Sequence, residues 1–209
     1  MVKLIKIVFA VLLVIAVVAF FYKTYNNSND LGVVIAKVND QEIYSNEVLA
    51  IQQITLSQGR SITKESALTQ IINKELIFQE AKKQGYYPSI EEAETNINLQ
   101  LQGQNMTLDD YKNRLISSGK KYENELTAIR GEIAIQDYLD SQINESMLIV
   151  TDAEAREFYE DYKSKIPGEI SSFEESKDQI IKTLKIKKQR EAIDILINGL
   201  KVNATIEYF

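Results

Sequence analysis

Residues 162–176 read YKSKIPGEISSFEES, and how this stretch is read decides the fold. Helical periodicity runs into it from the N-terminal side and resumes beyond it. Between the two stand Pro167, one of only two prolines in the chain, and Gly168. Proline offers no N–H to a helical ladder and disfavours helical backbone in the residue before it, so a helix ends here. Ser172, with Glu175 three residues on, then starts another. Its hydroxyl can accept from the amide at the third helical position while the carboxylate reaches back to the cap amide. The stretch is a stop signal followed by a start signal, and only five residues, Pro167 to Ser171, separate Ile166 from Ser172.

Working outward, Thr151 with Glu154 caps the helix that enters the stretch, and the helix that leaves it runs from Phe173 to about Lys201. The chain closes on VNATIEYF, residues 202–209, which alternates like a strand. At the other end, VVIAKVNDQEIY, residues 33–44, is rich in β-branched residues and broken by Asn39-Asp40, which predicts two short extended pieces around a tight turn. Ser45 caps a helix to about Ser57. Residues 64–84 repeat apolar side chains at Leu68, Ile71, Ile72, Leu76 and Ala81, with Gly85 placed as the residue after the cap and Pro88 preventing continuation. Ser89 with Glu92, and Thr107 with Asp110, start two more helices that end near Gly103 and Gly119. Residues 121–144 form a long helix with Tyr122, Leu126, Ile129, Ile133 and Ile143 on one stripe.

The long helices would span ~43 and ~36 Å at the helical rise. A compact domain of this size has a radius of gyration of only ~16 Å. The expected fold is therefore mainly α, an elongated multi-helix domain, with a small β element in which strand 202–208 pairs with 33–38.

Composition removes several kinds of chemistry. The chain of 209 residues has no cysteine, histidine or tryptophan. That excludes disulfides, thiolate sites, and the commonest general base and zinc ligand. Residues 1–25, MVKLIKIVFAVLLVIAVVAFFYKTY, differ from everything after them. Residues 4–22 would make a helix of ~28 Å, enough to span a hydrocarbon core, with Lys6 reaching the headgroups. An uncleaved membrane anchor is expected, with a cleaved secretory signal as the rival. Lys3 and Lys6 favour an inside N-terminus, which sends residues 26–209 out of the cytoplasm; cleavage would leave them secreted. Residues 26–32, NNSNDLG, form a linker, and residues 33–209 the folded domain. Residues 26–209 hold all 30 acids and 21 of the 24 bases, a formal charge of −9, which argues against nucleic acid as a partner.

No phosphate loop, nucleophile elbow or zinc motif is present. The acid pairs Glu91-Glu92, Asp109-Asp110 and Glu174-Glu175 each fall in the first turn of a predicted helix, where the macrodipole favours negative charge. The densest basic run, KTLKIKKQR at 182–190, reads as the solvated face of a helix. Most of the eleven tyrosines are expected to pack between helices. Met106, Tyr111, Phe158, Tyr159 and Tyr162 are the candidates for presenting adaptable apolar or amphipathic surface to another chain.

The order of these elements, with particular residues, resembles a known family. VIAKVNDQEIYSNEV at 34–48 is similar to the opening of the SurA N-terminal domain, seen also in PrsA-type foldases, although Asp40-Gln41 departs from the usual pattern. LTQIINKELIFQEAKKQGYYPSIEEAE at 68–94 resembles the family's next segment. VTDAEAREFYEDYKSKI at 150–166 resembles the helix leading into the family's parvulin prolyl-isomerase domain. Residues 172–208 resemble the helix and strand that follow that domain. The likeness covers roughly residues 33–208. It implies that a parvulin domain of about 90–100 residues would normally stand between Ile166 and Ser172. Its catalytic residues have no positions here to match. What the resemblance leaves is the chaperone part. The function it implies is a membrane-tethered, extracytoplasmic holdase that binds unfolded polypeptides without catalysis, cofactor or metal. The alternative is an assembly factor binding one folded partner, and a homodimer is left open in either case.

Overall fold

The computed structural model describes residues 32–167 and 171–209. In chain order the elements are β1 (Val34–Val38), β2 (Gln41–Tyr44), α1 (Ser45–Ser57), α2 (Lys64–Lys83), α3 (Ile90–Gln102), α4 (Leu108–Ser117), α5 (Tyr122–Gln142), a 3-10 turn (Glu145–Leu148), α6 (Asp152–Lys165), α7 (Phe173–Val202) and β3 (Ile206–Tyr208). The fold is mainly α with one small antiparallel sheet. The residues form two compact units, one running to Tyr138 and including Leu200–Phe209, the other Leu139–Gly199. The expected anchor at residues 4–22 lies outside the described residues. Among the described residues no helix is long and apolar enough to cross a membrane.

In the first unit the sheet order is β2-β1-β3, so the C-terminal strand pairs with β1, with Val38 opposite Ile206 and Ala36 opposite Tyr208. The turn between β1 and β2 holds this closure. Asn39 adopts a left-handed φ of 53°, a conformation that asparagine tolerates better than most residues. Its N–H donates to the Thr205 carbonyl at 2.7 Å, and its Oδ1 accepts from the Thr205 N–H at 2.9 Å. Its Nδ2 donates to Gln79 Oε1 on α2 at 2.6 Å, and Gln79 Nε2 donates to the Val38 carbonyl at 3.1 Å. One residue thus ties the hairpin to the last strand and to a helix.

The core of this unit lies between the sheet and α1–α2, where Ala36, Val38, Ile43, Val48, Ile72 and Leu76 are buried together. Each large aliphatic side chain contributes ~1.5–3 kcal/mol on leaving water. A second cluster joins Ala93, Ile97 and Leu101 of α3 to Leu126 and Ile129 of α5, with Met106, Tyr111 and Tyr122 packed against it.

Helix starts follow their capping boxes at Ser89, Thr107 and Thr151, where the hydroxyl accepts from the N3 amide and the N3 carboxylate accepts from the cap amide. At α1 the sequence reading is corrected by one residue. Tyr44 is the cap, its N–H donating to the Glu47 carboxylate at 2.8 Å. Ser45 is the first helical residue and is tied to Val33, its N–H donating to the Val33 carbonyl at 2.9 Å and its Oγ accepting from the Val33 N–H at 3.2 Å. α2 ends as expected: Gly85 takes φ of 84°, the Gly85 amide donates to the Lys82 carbonyl and the Tyr86 amide to the Ala81 carbonyl. The final strand is shorter than the predicted 202–208, because α7 continues through Val202 while Leu200 and Ala204 pack on the sheet core.

In the second unit α6 packs on α7 around Ala155, Tyr159, Phe173, Ile180 and Leu184. The seven residues between Lys165 and Phe173 leave no room for a parvulin domain, and none is present there. The ends of the two helices are joined by side chains. The Tyr159 ring meets Phe173 edge-on at 5.7 Å, and its hydroxyl donates to the Ser171 carbonyl at 2.9 Å. The Arg156 guanidinium lies 4.2 Å over the Phe173 ring and pairs with Asp152 and Glu174.

Candidate functional site

Three helical stripes of the first unit converge on one cleft. On α2, Ile71, Glu75 and Phe78 recur at i, i+4 and i+7, a spacing that puts them on one face, beside the Ile72 and Leu76 face that serves the sheet core. On α1, Glu47 and Ile51 are four apart. On α5, Ala128, Gly131, Glu132 and Ile135 form the opposite wall. The cleft has a volume of about 480 Å³, within the range of ordinary ligand sites.

The wall formed by α5 is held at two places. The Arg130 Nε donates to the Pro88 carbonyl at 2.8 Å while its guanidinium lies 4.3 Å from the Tyr87 ring centroid, fixing α5 to the segment that follows α2. Deeper in, the Phe78 ring lies against Gly131, where a Cβ would stand 3.6 Å from the ring edge. Glycine here lets an aromatic side chain lie directly on helical backbone.

The cleft's electrostatics come from four side chains. Lys74 and Glu132 form an ion pair across α2 and α5. Glu75 is half-buried and accepts from Gln79 Nε2 at 2.8 Å. Burial pushes its carboxyl above the ordinary value, against the opposing pull of Gln79 and Lys74. Glu47 is likewise raised, first by burial and then by the nearby Glu75 carboxylate, while the Tyr44 amide and Lys74 act the other way. The arrangement can enclose apolar groups against Ile51, Ile71, Phe78 and Ile135 and present carboxylates beside them. Among the described residues, no group of three His, Cys, Asp or Glu side chains could hold a metal ion.

A second hollow, of about 520 Å³, lies at the α3–α4 junction and is lined by Gln104, Asp110, Asn113, Arg114 and Ser118 besides Met106. Its polar lining suits solvent better than an apolar segment.

None of the five side chains singled out from the sequence lines the apolar cleft. Met106 and Tyr111 belong to the first unit. Both are half-buried against the α3–α5 cluster, and the Tyr111 hydroxyl points at Glu125 Oε1, 3.5 Å away. Phe158, Tyr159 and Tyr162 belong to the second. Phe158 is half-buried, Tyr162 is 50% exposed, and Tyr159 is 7% exposed. Tyr159 is thus a core residue rather than exposed surface, because its ring and hydroxyl are both engaged in joining α6 to α7. In each acid pair the second member, Glu92, Asp110 or Glu175, accepts from its cap amide, so the helix-start reading accounts for them.

Sequence reasoning missed Glu47, Glu75, Phe78 and Gly131. Two signals pointed to them. α2 carries apolar residues at 71, 72, 76, 77 and 78, too broad a set for a single buried stripe, and Gly131 sits in the interior of a helix.

A family model for the SurA-like N-terminal domain matches residues 1–139. No curated protein matches the chain. Among solved structures, one comes from work on the virulence factor PEB4 and the periplasmic protein Cj1289, described as two structurally related SurA-like chaperones of Campylobacter jejuni. It superposes with a TM-score of 0.57 at 15% identity, over 85% of this chain and 99% of its own. At that identity the likeness is one of fold.

Proposed function

The chain belongs to the family of SurA-like N-terminal domains, and on that premise we propose that it is a membrane-tethered holdase acting outside the cytoplasm. Family membership supports a chaperone role in general. The observation that carries the finer reading is the apolar cleft between α1, α2 and α5. An unfolded client would place one or two apolar side chains there, against Ile71 and Phe78, and release them without an energy source. Burying a side chain the size of leucine contributes ~1.5–3 kcal/mol before ordering costs. Several such contacts give affinity of roughly micromolar order, weak enough for release.

Tethering rests on residues 4–22, with Lys3 and Lys6 on the cytoplasmic side. Absence of catalysis rests on the short link between α6 and α7 and on the lack of any histidine. Uncatalysed prolyl isomerisation takes ~10–100 s, so catalysis in a proline-limited refolding assay would be obvious, and none is expected.

The test uses the full chain in lipid nanodiscs. It should delay aggregation of several unrelated unfolding proteins at near-stoichiometric ratios without ATP, and Phe78→Ser should weaken this for all of them. A chain that leaves every such client unprotected but holds one native partner tightly is an assembly factor instead.

A further inference from the structure

We propose that the cleft between α1, α2 and α5 selects client segments in which an arginine or lysine is flanked by apolar residues. This rests on reading the cleft as the client site and adds to it the chemical class of the client.

Charge complementarity carries the inference. The cleft holds three carboxylates, on Glu47, Glu75 and Glu132, against one ammonium, on Lys74. Lys74 pairs with Glu132 on the α5 side and its charge also favours ionised Glu47 and Glu75, so one ammonium serves three carboxylates. Glu47 accepts from the Tyr44 backbone amide at 2.8 Å and Glu75 from the Gln79 side-chain amide at 2.8 Å, both neutral donors. Both carboxylates are half-buried, and burial raises Glu47 against the pull of the Tyr44 amide, with the Glu75 charge adding to the rise. A cationic side chain entering between them would offset that repulsion and replace water with a charge-assisted hydrogen bond. A guanidinium fits better than an ammonium, since its planar fork can reach two carboxylates together. Apolar neighbours in the client would meet Ile51, Ile71 and Phe78. The walls thus supply affinity and the carboxylates selectivity, with an acidic segment disfavoured by like charge.

The experiment measures Kd for three apolar peptides of one length, differing only in a central Arg, Gln or Glu and carrying an uncharged fluorophore, against the full chain in nanodiscs. The Arg peptide should bind about tenfold tighter than the Gln peptide, as expected for one partly screened charge-assisted hydrogen bond, and the Glu peptide weakest. Glu75→Gln and Glu47→Gln keep the acceptor oxygens that Gln79 and Tyr44 use, and each should move the Arg-to-Gln affinity ratio towards one. Glu160→Gln, on the exposed face of α6, should leave the ratio as it is. Equal affinity for all three peptides, with Phe78→Ser still weakening them, overturns the selectivity and leaves the client cleft standing. An Arg preference that survives in the Glu47→Gln, Glu75→Gln double variant overturns it too, since the charge would act elsewhere. Failure of every peptide to bind overturns both readings.

Discussion

Glu125 is the one charged side chain among the described residues that is fully buried, at 1% exposure. Its Oε2 has no hydrogen-bond partner, and its Oε1 is met only at long range by the Tyr111 hydroxyl, 3.5 Å away. Lys120 and Tyr111 favour the ionised form, but burial outweighs them and pushes the carboxyl up. A raised folded value means that Glu125 costs nothing extra below the unfolded carboxyl pKa of about 4.3. Its cost grows as pH rises through the folded value, because the native state must then hold an uncompensated charge or keep a proton that the unfolded chain has released. Glu125→Gln removes the titration and retains a carbonyl for Tyr111. An unsatisfied buried polar group costs about 1–3 kcal/mol, more when charged. The Gln variant should therefore match the wild type near pH 4 and exceed it by about 1–3 kcal/mol near pH 8. In urea, with a slope of ~1–3 kcal/mol/M, that is a shift of about 1 M in the midpoint, read by circular dichroism on the full chain in mild detergent. A difference that is the same at both pH values, or a Gln variant less stable at alkaline pH, would show that Glu125 is not an uncompensated charge.

Three further outcomes are expected. Tyr159→Ser should destabilise the second unit by about 3–5 kcal/mol, as loss of a buried aromatic does, whereas Tyr162→Ser should stay within about 0.5 kcal/mol; hydrogen exchange across α6 and α7 separates the two. Gly131→Ala should raise stability by about 0.5–1 kcal/mol, because the added methyl meets Phe78 at ordinary contact distance and helix propensity improves; a lower thermal midpoint would mean the helix cannot accept it. Glu154 is held down to about 2 by Lys188 and by the Thr151 cap, so its contribution is present above the ordinary carboxyl value and lost as pH falls towards 2. Acid titration of exchange protection in α6 should show that loss, and Glu154→Gln should flatten it.

Much of the fold was legible because its signals are local. A capping box is complete within four residues, so the starts at Ser89, Thr107, Thr151 and Ser172 could be read directly from sequence. The turn at Asn39-Asp40 was legible for the same reason. What Asn39 does was not, since its partners Gln79 and Thr205 are 40 and 166 residues away. The end of α7 near Lys201 was legible, but β3 starts at Ile206 rather than 202, because Leu200 and Ala204 pack on the sheet core and outweigh the alternating pattern at 202–204. Glu125 reads as a surface acid in a first helical turn, and only the approach of Tyr111 from α4 and the apolar cluster around it make it an interior one. The cleft is a long-range product in the same sense. Glu47, Glu75 and Glu132 are ordinary helical acids until α1, α2 and α5 meet.

The stretch at 162–176 also accounts for why Tyr159 is buried rather than presented at the surface. Where a chain must turn from one helix into the next through a seven-residue link, the helix ends need their own adhesive, because a short link alone does not hold two helices together. Tyr159 and Phe173 provide it with an edge-on ring pair, reinforced by the Tyr159–Ser171 hydrogen bond and the Arg156 guanidinium over Phe173. Tyr159, about two turns before the link, is consumed by closing it, whereas Tyr162, one turn before it, stays 50% exposed. On the proposed reading, the surface offered to a client lies instead where Phe78 meets Gly131, a residue with no side chain to cover the ring. Two substitutions separate these roles by different readouts. Tyr159→Ser should lose stability, and client protection should fall only in step with the unfolded fraction. Phe78→Ser should lose client protection at temperatures where the chain remains folded. If the two variants lose protection and structure in the same proportion, the cleft has no role separate from the core.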